Sequence, residues 1–158
     1  EGLPVGADAI VTGLAEARWP ARLEWLRCVD GDLLIDAAHN PAGAEALASY
    51  LEDAGVVPLP IVIAAMRDKD VTGMVRALAR VASRFVATEV THPRSHPADA
   101  LAQRLRQLAP DTAVEVERDP QRAVALALAG HGRAVAGGSI YFVGPLRARL
   151  LESGAVSI

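Results

Sequence analysis

Apolar positions fall along the chain in two patterns, short uninterrupted runs and longer stretches with helical spacing. Residues 59–66, LPIVIAAM, form a nearly unbroken apolar run, which is typical of a central parallel strand covered on both faces. Residues 71–83, VTGMVRALARVAS, follow with the spacing of an amphipathic helix. The same succession recurs along most of the chain, and it predicts further strands at 33–36, 84–90, 113–117 and 133–138 and further helices at about 41–53, 97–109 and 121–130.

The first part of the chain departs from this repeat. Residues 8–19 predict a helix that Asp8 caps. Its apolar positions at helical spacing are Ile10, Val11, Leu14 and Trp19. In residues 22–36 two strand-like runs flank Asp30-Gly31, a dipeptide typical of a two-residue hairpin turn. Five strand–helix units and one antiparallel strand predict a doubly wound α/β fold, with about six strands in a mixed, mostly parallel sheet and helices on both faces.

Composition narrows the class of protein. The chain has 158 residues, of which 51% are hydrophobic and 22% charged, so one folded domain over 1–158 is expected. A net charge of −3 argues against a nucleic-acid-binding surface. Cys28 is the one cysteine, which favours a reducing, cytoplasmic setting. No apolar run is long enough to span a membrane, and no signal peptide opens the chain, so no membrane association is expected.

Candidate chemistry is concentrated where the predicted strands end, because ligands of open α/β sheets bind beyond the carboxyl ends of the strands. Asp36, His39 and Asn40 follow the strand at 33–36. Asn40 suits the N-cap of the next helix and Pro41 its first position, so free N–H groups at the helix start can bind an anion. Asp36, at the strand tip, can accept hydrogen bonds from ribose hydroxyls.

Other segments next to the predicted strands carry further candidates. The glycines of 137–139 allow a backbone to approach a ligand closely, and Ser139 adds a hydroxyl. Arg22 precedes the hairpin, and its guanidinium can bind a phosphate with two parallel hydrogen bonds. His92 and His96 share one loop, but no clear third ligand accompanies them, so no metal site is predicted.

Each candidate also has a purely structural interpretation. Asp36 can simply cap a loop, and an isolated His39 more often bonds to a nearby backbone group. Asn40 can be a helix cap and nothing more. Arg22 can be a surface residue that forms an ion pair. The chain contains no phosphate-loop motif, no dinucleotide fingerprint and no Gly-x-Ser-x-Gly nucleophile motif. The residues alone therefore leave both interpretations open.

Four segments carry a resemblance to a known family. In order, WPARLEWL, LLIDAAHNPAGAEAL, MRDKD and AGGSIYFVG resemble the C-terminal domain of folylpolyglutamate synthase/dihydrofolate synthase, a member of the ATP-dependent Mur ligase family with a Rossmann-like C-terminal fold. The most specific part is D-x-A-H-N-P preceded by W-P-x-R-L-E. The resemblance implies an enzyme that uses ATP and Mg²⁺ to join L-glutamate to a carboxylate of folate or dihydropteroate through an acyl phosphate.

The resemblance also implies residue roles and a missing partner. Arg22 is expected to contact the ATP phosphates, with Asp36 and Asn40 on the nucleotide. His39 and Ser139 are expected near the incoming glutamate and the phosphate-transfer centre, so Arg22 and His39 are the catalytic candidates. The phosphate loop and the Mg²⁺ ligands are expected in an N-terminal ATPase domain outside this chain, without which the domain should not turn over.

Some positions depart from the family pattern. Ala21 and Ala37 stand where glycine is usual, which restricts positive φ angles, and Gly137 replaces a more usual threonine. Pro145 falls inside the expected closing helix, which predicts a kink or a late start.

Two alternatives to this ligase stay open at the level of the sequence. One is another Mur-family amino-acid ligase, of the cell-wall or cyanophycin type. The other is a non-catalytic α/β nucleotide-binding or regulatory module of the flavodoxin or receiver type. A receiver needs a phospho-acceptor aspartate at a later strand end, where this chain has Arg67, Thr91 and Gly137 instead.

Overall fold

The computed structural model describes residues 5–17 and 19–158, in which one mixed sheet is covered by helices. In chain order the elements are α1 (Ala7–Glu16), β1 (Glu24–Cys28), β2 (Gly31–Ile35), α2 (Pro41–Asp53), β3 (Leu59–Ile63), α3 (Val71–Leu78), β4 (Ala82–Ala87), α4 (Ala98–Leu108), β5 (Ala113–Val116), α5 (Pro120–Leu128), β6 (Arg133–Gly137), α6 (Ile140–Glu152) and β7 (Val156–Ser157). The strand order is β5-β4-β3-β6-β2-β1-β7. Strands β2 to β6 are parallel, and β1 is antiparallel to both β2 and β7.

The doubly wound fold predicted from the sequence is confirmed. The described residues form seven strands rather than about six, because the chain ends in the two-residue β7, which pairs with β1. Helices α2, α3 and α4 pack on one face of the sheet, and α5 and α6 pack on the other. Every residue of β3 is buried, as its apolar run predicted. In the part of the chain described, no helix is both long and apolar enough to cross a membrane.

The layering places a crevice between β3 and β6. These neighbouring parallel strands are followed by α3 on one face and α6 on the other. Connections that leave neighbouring strands toward opposite faces separate at the carboxyl edge, and ligands of such sheets bind there. The segments after β3 and β6, and the neighbouring segment after β2, are therefore the ones in which to look for a site.

The predicted hairpin is present, with its turn one residue earlier than expected. Cys28 pairs with Gly31, so Val29 and Asp30 form the two-residue loop. Gly31 has a φ of +141°, and a Cβ at this position would lie 2.3 Å from the carbonyl oxygen of Gly132. Glycine is required here because the hairpin passes directly against the turn that precedes β6.

The boundary between α3 and β4 differs from the prediction. The helix ends at Leu78 rather than 83, and β4 begins at Ala82 rather than 84. Neither glycine nor proline marks this end, so the helical spacing continues past it. Parallel pairing decides the boundary, because the Leu59 N–H donates to the Val81 carbonyl at 3.0 Å and draws the segment into the sheet.

The first helix is shorter than predicted, and its apolar side is uncovered. It spans Ala7–Glu16 with Gly6 as its N-cap, so Asp8 lies in the first turn and is not the cap. The predicted span of 8–19 also includes residue 18, which lies outside the described residues. The apolar side chains expected on one face are all exposed: Ile10 by 51%, Val11 by 66%, Leu14 by 73% and Trp19 by 75%.

The closing helix does not start late. Helix α6 begins at Ile140, directly after its N-cap Ser139, and continues through Pro145 to Glu152. Proline removes one backbone donor in a helix interior, and here it does so on the sixth residue without ending the helix.

Candidate active site

A short loop carries Arg22 to the carboxyl end of β2. The Ala21 carbonyl accepts a hydrogen bond from the Ala37 N–H at 2.9 Å. The Leu23 N–H donates to Oδ2 of Asp36 at 2.9 Å. Arg22 is exposed between these two anchors. The structure therefore places Arg22 and Asp36 side by side at one edge of the sheet, as the nucleotide-site hypothesis requires.

The same loop has an unusual backbone on either side of Arg22. Ala21 has a φ of +57° and Leu23 a φ of +46°, in the left-handed region that residues other than glycine rarely adopt. Such conformations cost on the order of 1–3 kcal/mol each and persist only where neighbouring contacts hold them. Alanine at position 21 therefore adopts the positive φ that its Cβ disfavours. The contacts of this loop must offset the energetic cost.

Asp36 has a structural function that the geometry displays directly. Its residue is only 6% exposed, and one of its carboxylate oxygens is taken by the Leu23 N–H. Asp36 therefore caps the loop, as its structural interpretation predicted. A ribose contact through the other oxygen stays a prediction.

His39 and Asn40 lie in the turn between β2 and α2. Nδ1 of His39 is 2.9 Å from the Ala37 carbonyl oxygen, which can only accept, so this nitrogen carries the proton in the neutral ring. Nε2 then keeps its lone pair. Asn40 accepts the Gly43 N–H at 2.8 Å through Oδ1, which confirms it as the N-cap of α2. Its contact with a nucleotide stays a prediction.

Gly137, the last residue of β6, and Gly138, which follows it, serve the packing of the sheet. A Cβ on Gly138 would lie 2.5 Å from the Ala64 carbonyl oxygen, and this residue has a φ of +103°. A Cβ on Gly137 would lie 3.2 Å from the Asp36 carbonyl oxygen. The close approach expected toward a ligand is in fact made toward the neighbouring strand ends.

Ser139 stands at the crevice between β3 and β6. It is 1% exposed, and its hydroxyl accepts the Tyr141 N–H at 3.2 Å as the N-cap of α6. The structure thus brings Ser139 to the same edge of the sheet as Arg22, Asp36 and His39. Whether its hydroxyl contacts glutamate stays a prediction.

A second group of polar side chains at this edge was not predicted as a unit. Arg94 contacts Asp68 at 3.3 Å, donates to the Tyr141 hydroxyl at 3.3 Å and lies 5.6 Å from the centre of the Tyr141 ring. The His92 ring lies against the same tyrosine, with the ring centres 4.6 Å apart and the planes tilted by 30°. The cluster joins the segments after β3, β4 and β6, and beside it opens a cleft of about 830 Å³ between α5 and α6.

His96, in the same loop as His92, is held in an environment that disfavours its charged form. Burial, followed by the positive charges of Arg104 and Arg67, lowers the pKa of His96. As the pH falls, His96 takes up a proton more readily in the unfolded chain than in the folded chain. Its protonation therefore lowers the free energy of unfolding as the pH falls below about 6.5.

Replacing His96 by asparagine should therefore reduce the acid sensitivity of folding. Urea unfolding of this domain at pH 7.5, 6.0 and 5.0 should show a smaller loss of unfolding free energy in the variant than in the wild type. His131→Asn, which removes an exposed imidazole, is the matched control. Equal changes in both variants would contradict this role of His96.

The fold is a doubly wound α/β domain with the candidate residues at the carboxyl edge of its sheet, and comparisons with known proteins define its family. The family described as Mur ligase, glutamate ligase domain, matches residues 21–143. This chain therefore belongs to the Mur ligase family, and the resemblance noted in its motifs is confirmed. In the described residues, Arg22, Asp36, His39 and Ser139 all lie inside the matched range.

The relatives include folate enzymes. The dihydrofolate synthase/folylpolyglutamate synthase of Mycobacterium tuberculosis is 42% identical over 96 residues, which cover 60% of this chain and 20% of that protein. A solved structure of the folylpolyglutamate synthase of M. tuberculosis, complexed with ADP and AMPPCP, superimposes with a TM-score of 0.80 at 31% identity and covers 92% of this chain. The bifunctional enzyme of Yersinia pestis, complexed with AMPPNP and a Mn ion, gives 0.78 at 25% identity over 94% of this chain. This chain spans 35% of the length of each solved chain.

Proposed function

We propose that this chain is the C-terminal domain of an ATP-dependent ligase that joins L-glutamate to a carboxylate of folate or dihydropteroate. The observation that carries this proposal is the placement of Arg22, Asp36 and His39 at one edge of the sheet. These are the residues of the motifs that resemble the folate enzymes. The nucleotide complexes of the M. tuberculosis and Y. pestis relatives support a nucleotide as one of the substrates.

Arg22 is assigned to the phosphates of ATP. In the proposed reaction the folate carboxylate attacks the γ-phosphate, which yields an acyl phosphate and ADP. Negative charge on the transferred phosphoryl group must be neutralised, and a guanidinium can do so with two parallel hydrogen bonds. The exposed side chain of Arg22, carried on a firmly anchored loop, fits this role.

His39 is assigned to the second half of the reaction. The glutamate amine attacks the acyl carbon, inorganic phosphate leaves and the amine must lose a proton. The lone pair on Nε2 can accept a proton, since Nδ1 is occupied by the Ala37 carbonyl. Ser139 is assigned to the glutamate side of the same edge.

The remaining parts of the reaction are assigned to an N-terminal ATPase domain. Bound Mg²⁺ would neutralise phosphate charge. Within residues 5–17 and 19–158, no group of three or more His, Cys, Asp or Glu side chains could hold a metal ion, so its ligands are assigned to that other domain. The exposed apolar side of α1 supports such a partner, because apolar patches of this kind usually mark contact surfaces. A cytoplasmic location is part of the proposal.

The proposal is tested by measuring ADP release from the full-length enzyme. We expect release to require both L-glutamate and a folate or dihydropteroate acceptor. We expect residues 1–158 alone to release no ADP. Release that depends on a different acceptor, such as a cell-wall precursor, would contradict the folate assignment and favour another Mur-family ligase.

A further inference from the structure

Helix α6 is connected to the Arg22 loop by a partly buried ion pair. Nε of Arg147 donates to Oε2 of Glu24 at 2.7 Å, and a terminal nitrogen donates to Oε1 at 2.8 Å. The side chains are 27% and 11% exposed, and the residues lie 123 positions apart in the chain. A bidentate pair of this kind fixes the plane of the carboxylate as well as its position.

The fixed carboxylate in turn holds the backbone that leads into Arg22. Oε2 of Glu24 also accepts the Ala21 N–H at 2.8 Å. On the other side of Arg22, the Leu23 N–H is held by Asp36. Two carboxylates therefore hold the backbone N–H groups of the residues before and after Arg22. They oppose the relaxation of these two left-handed residues toward ordinary backbone angles.

The charge of Glu24 is maintained by its partner. The Arg147 guanidinium is the largest cause that lowers the pKa of the Glu24 carboxyl below its ordinary value, against the opposing effect of burial. Glu24 therefore stays an acceptor with full negative charge through the neutral range. Its two oxygens can then serve three donors at once.

The ion pair also connects two parts of the proposed site. Helix α6 begins beside Ser139, and Arg147 lies about 12 Å further along the same helix at 1.5 Å per residue. Arg22 lies on a different element, which precedes β1. The Glu24–Arg147 pair thus joins the helix that Ser139 caps to the loop that presents Arg22.

We infer that Arg147 is a positioning residue for Arg22, acting through Glu24, an inference that rests on the proposed function. Arg147 does not reach the substrates in this role. It fixes the Glu24 carboxylate, and this carboxylate holds the loop. The loop in turn orients the Arg22 guanidinium toward the nucleotide phosphates. Lysine cannot replace it fully, because an ammonium group lacks the planar fork.

The first experiment compares steady-state constants of the full-length enzyme with Arg147→Met, Arg147→Lys and Glu24→Gln. For Arg147→Met we expect KM for ATP to rise about tenfold, equivalent to ~1.4 kcal/mol of lost positioning. KM for L-glutamate should change less than threefold, and Arg147→Lys and Glu24→Gln should lie between wild type and Arg147→Met. A similar rise in both KM values, or none in any variant, would overturn the inference.

The matched control is Arg80→Met. Arg80 also makes a bidentate contact with a glutamate, Glu45, and it pairs with Glu52 as well. It follows the C-terminal end of α3 and so lies at the opposite edge of the sheet. Its loss should leave both KM values unchanged. If Arg80→Met raised KM for ATP as much as Arg147→Met does, a general loss of stability would explain both.

A double-mutant cycle identifies the route through Arg22. In Arg22→Ala the loop no longer carries a guanidinium, so a change in the loop's position cannot alter a phosphate contact. Adding Arg147→Met to this variant should therefore leave KM for ATP unchanged. A further tenfold rise in the double variant would overturn the inference, because residues that act independently give additive effects. If Arg22→Ala alone left ATP use unaltered, the assignment of Arg22 under the proposed function would fail instead.

Discussion

Arg22→Ala in the full-length enzyme should lower the rate of glutamate-dependent ADP release by about 10²–10³-fold. A well-placed donor that stabilises developing charge is typically worth this much, and four hydrogen bonds to backbone and carboxylate groups hold the Arg22 loop. The folded state should be little affected, since the side chain itself is exposed. Thermal unfolding of the isolated domain should therefore be close to wild type.

Arg27→Ala is the control for this experiment. Arg27 is 64% exposed and pairs with Asp32 on the surface of the hairpin, a contact of the kind that contributes little to stability. Its loss should leave ADP release unchanged. Near wild-type turnover of Arg22→Ala would refute the assignment of Arg22 to the ATP phosphates.

Gly138→Ala should destabilise the domain by ~2–5 kcal/mol. The new Cβ would lie 2.5 Å from the Ala64 carbonyl oxygen and 2.9 Å from a side-chain carbon of Ile63, on a backbone with a φ of +103°. These neighbours belong to the buried centre of the sheet and can move only by disturbing it. The midpoint of urea unfolding of the isolated domain measures the effect.

Gly154→Ala separates the two causes of that loss. Gly154 also has a positive φ, +94°, but a Cβ there would meet nothing within 4 Å. It should cost about 1 kcal/mol through backbone strain alone. An equal loss in both variants would mean that the close approach at Gly138 is relieved by movement of the strand ends.

Local patterns in the sequence predicted the parts of the fold that local physics decides. The apolar run at 59–66 predicted a buried central strand, and Asn40-Pro41 predicted a helix start whose cap geometry the structure reproduces. Asp30-Gly31 predicted the hairpin, although the two-residue loop is Val29-Asp30. The helix cap and the hairpin depend on contacts within a few residues, and the buried strand on one continuous apolar run, so spacing and residue type are sufficient to indicate them.

Features decided by distant contacts were missed. Nothing near Glu24 in the sequence indicates Arg147, because the two residues lie 123 positions apart and meet only in the folded chain. The contact of Arg94 with Tyr141 likewise joins the loop after β4 to the first turn of α6, far apart in the chain. The end of α3 was misplaced because strand pairing overrode helical spacing. The candidate site was therefore found by the positions of strand ends and by family motifs, and its supporting contacts were not.

The anchoring contact between Asp36 and Leu23 has a consequence for genetics. A substitution at Asp36 would remove any bond to the nucleotide and would also release the segment that presents Arg22. An inactive allele at this codon could therefore result from a displaced Arg22 loop as readily as from a lost ligand contact. A reversion that restored activity would have to supply a new acceptor for that amide, which makes suppressors in the 20–24 segment the ones to look for.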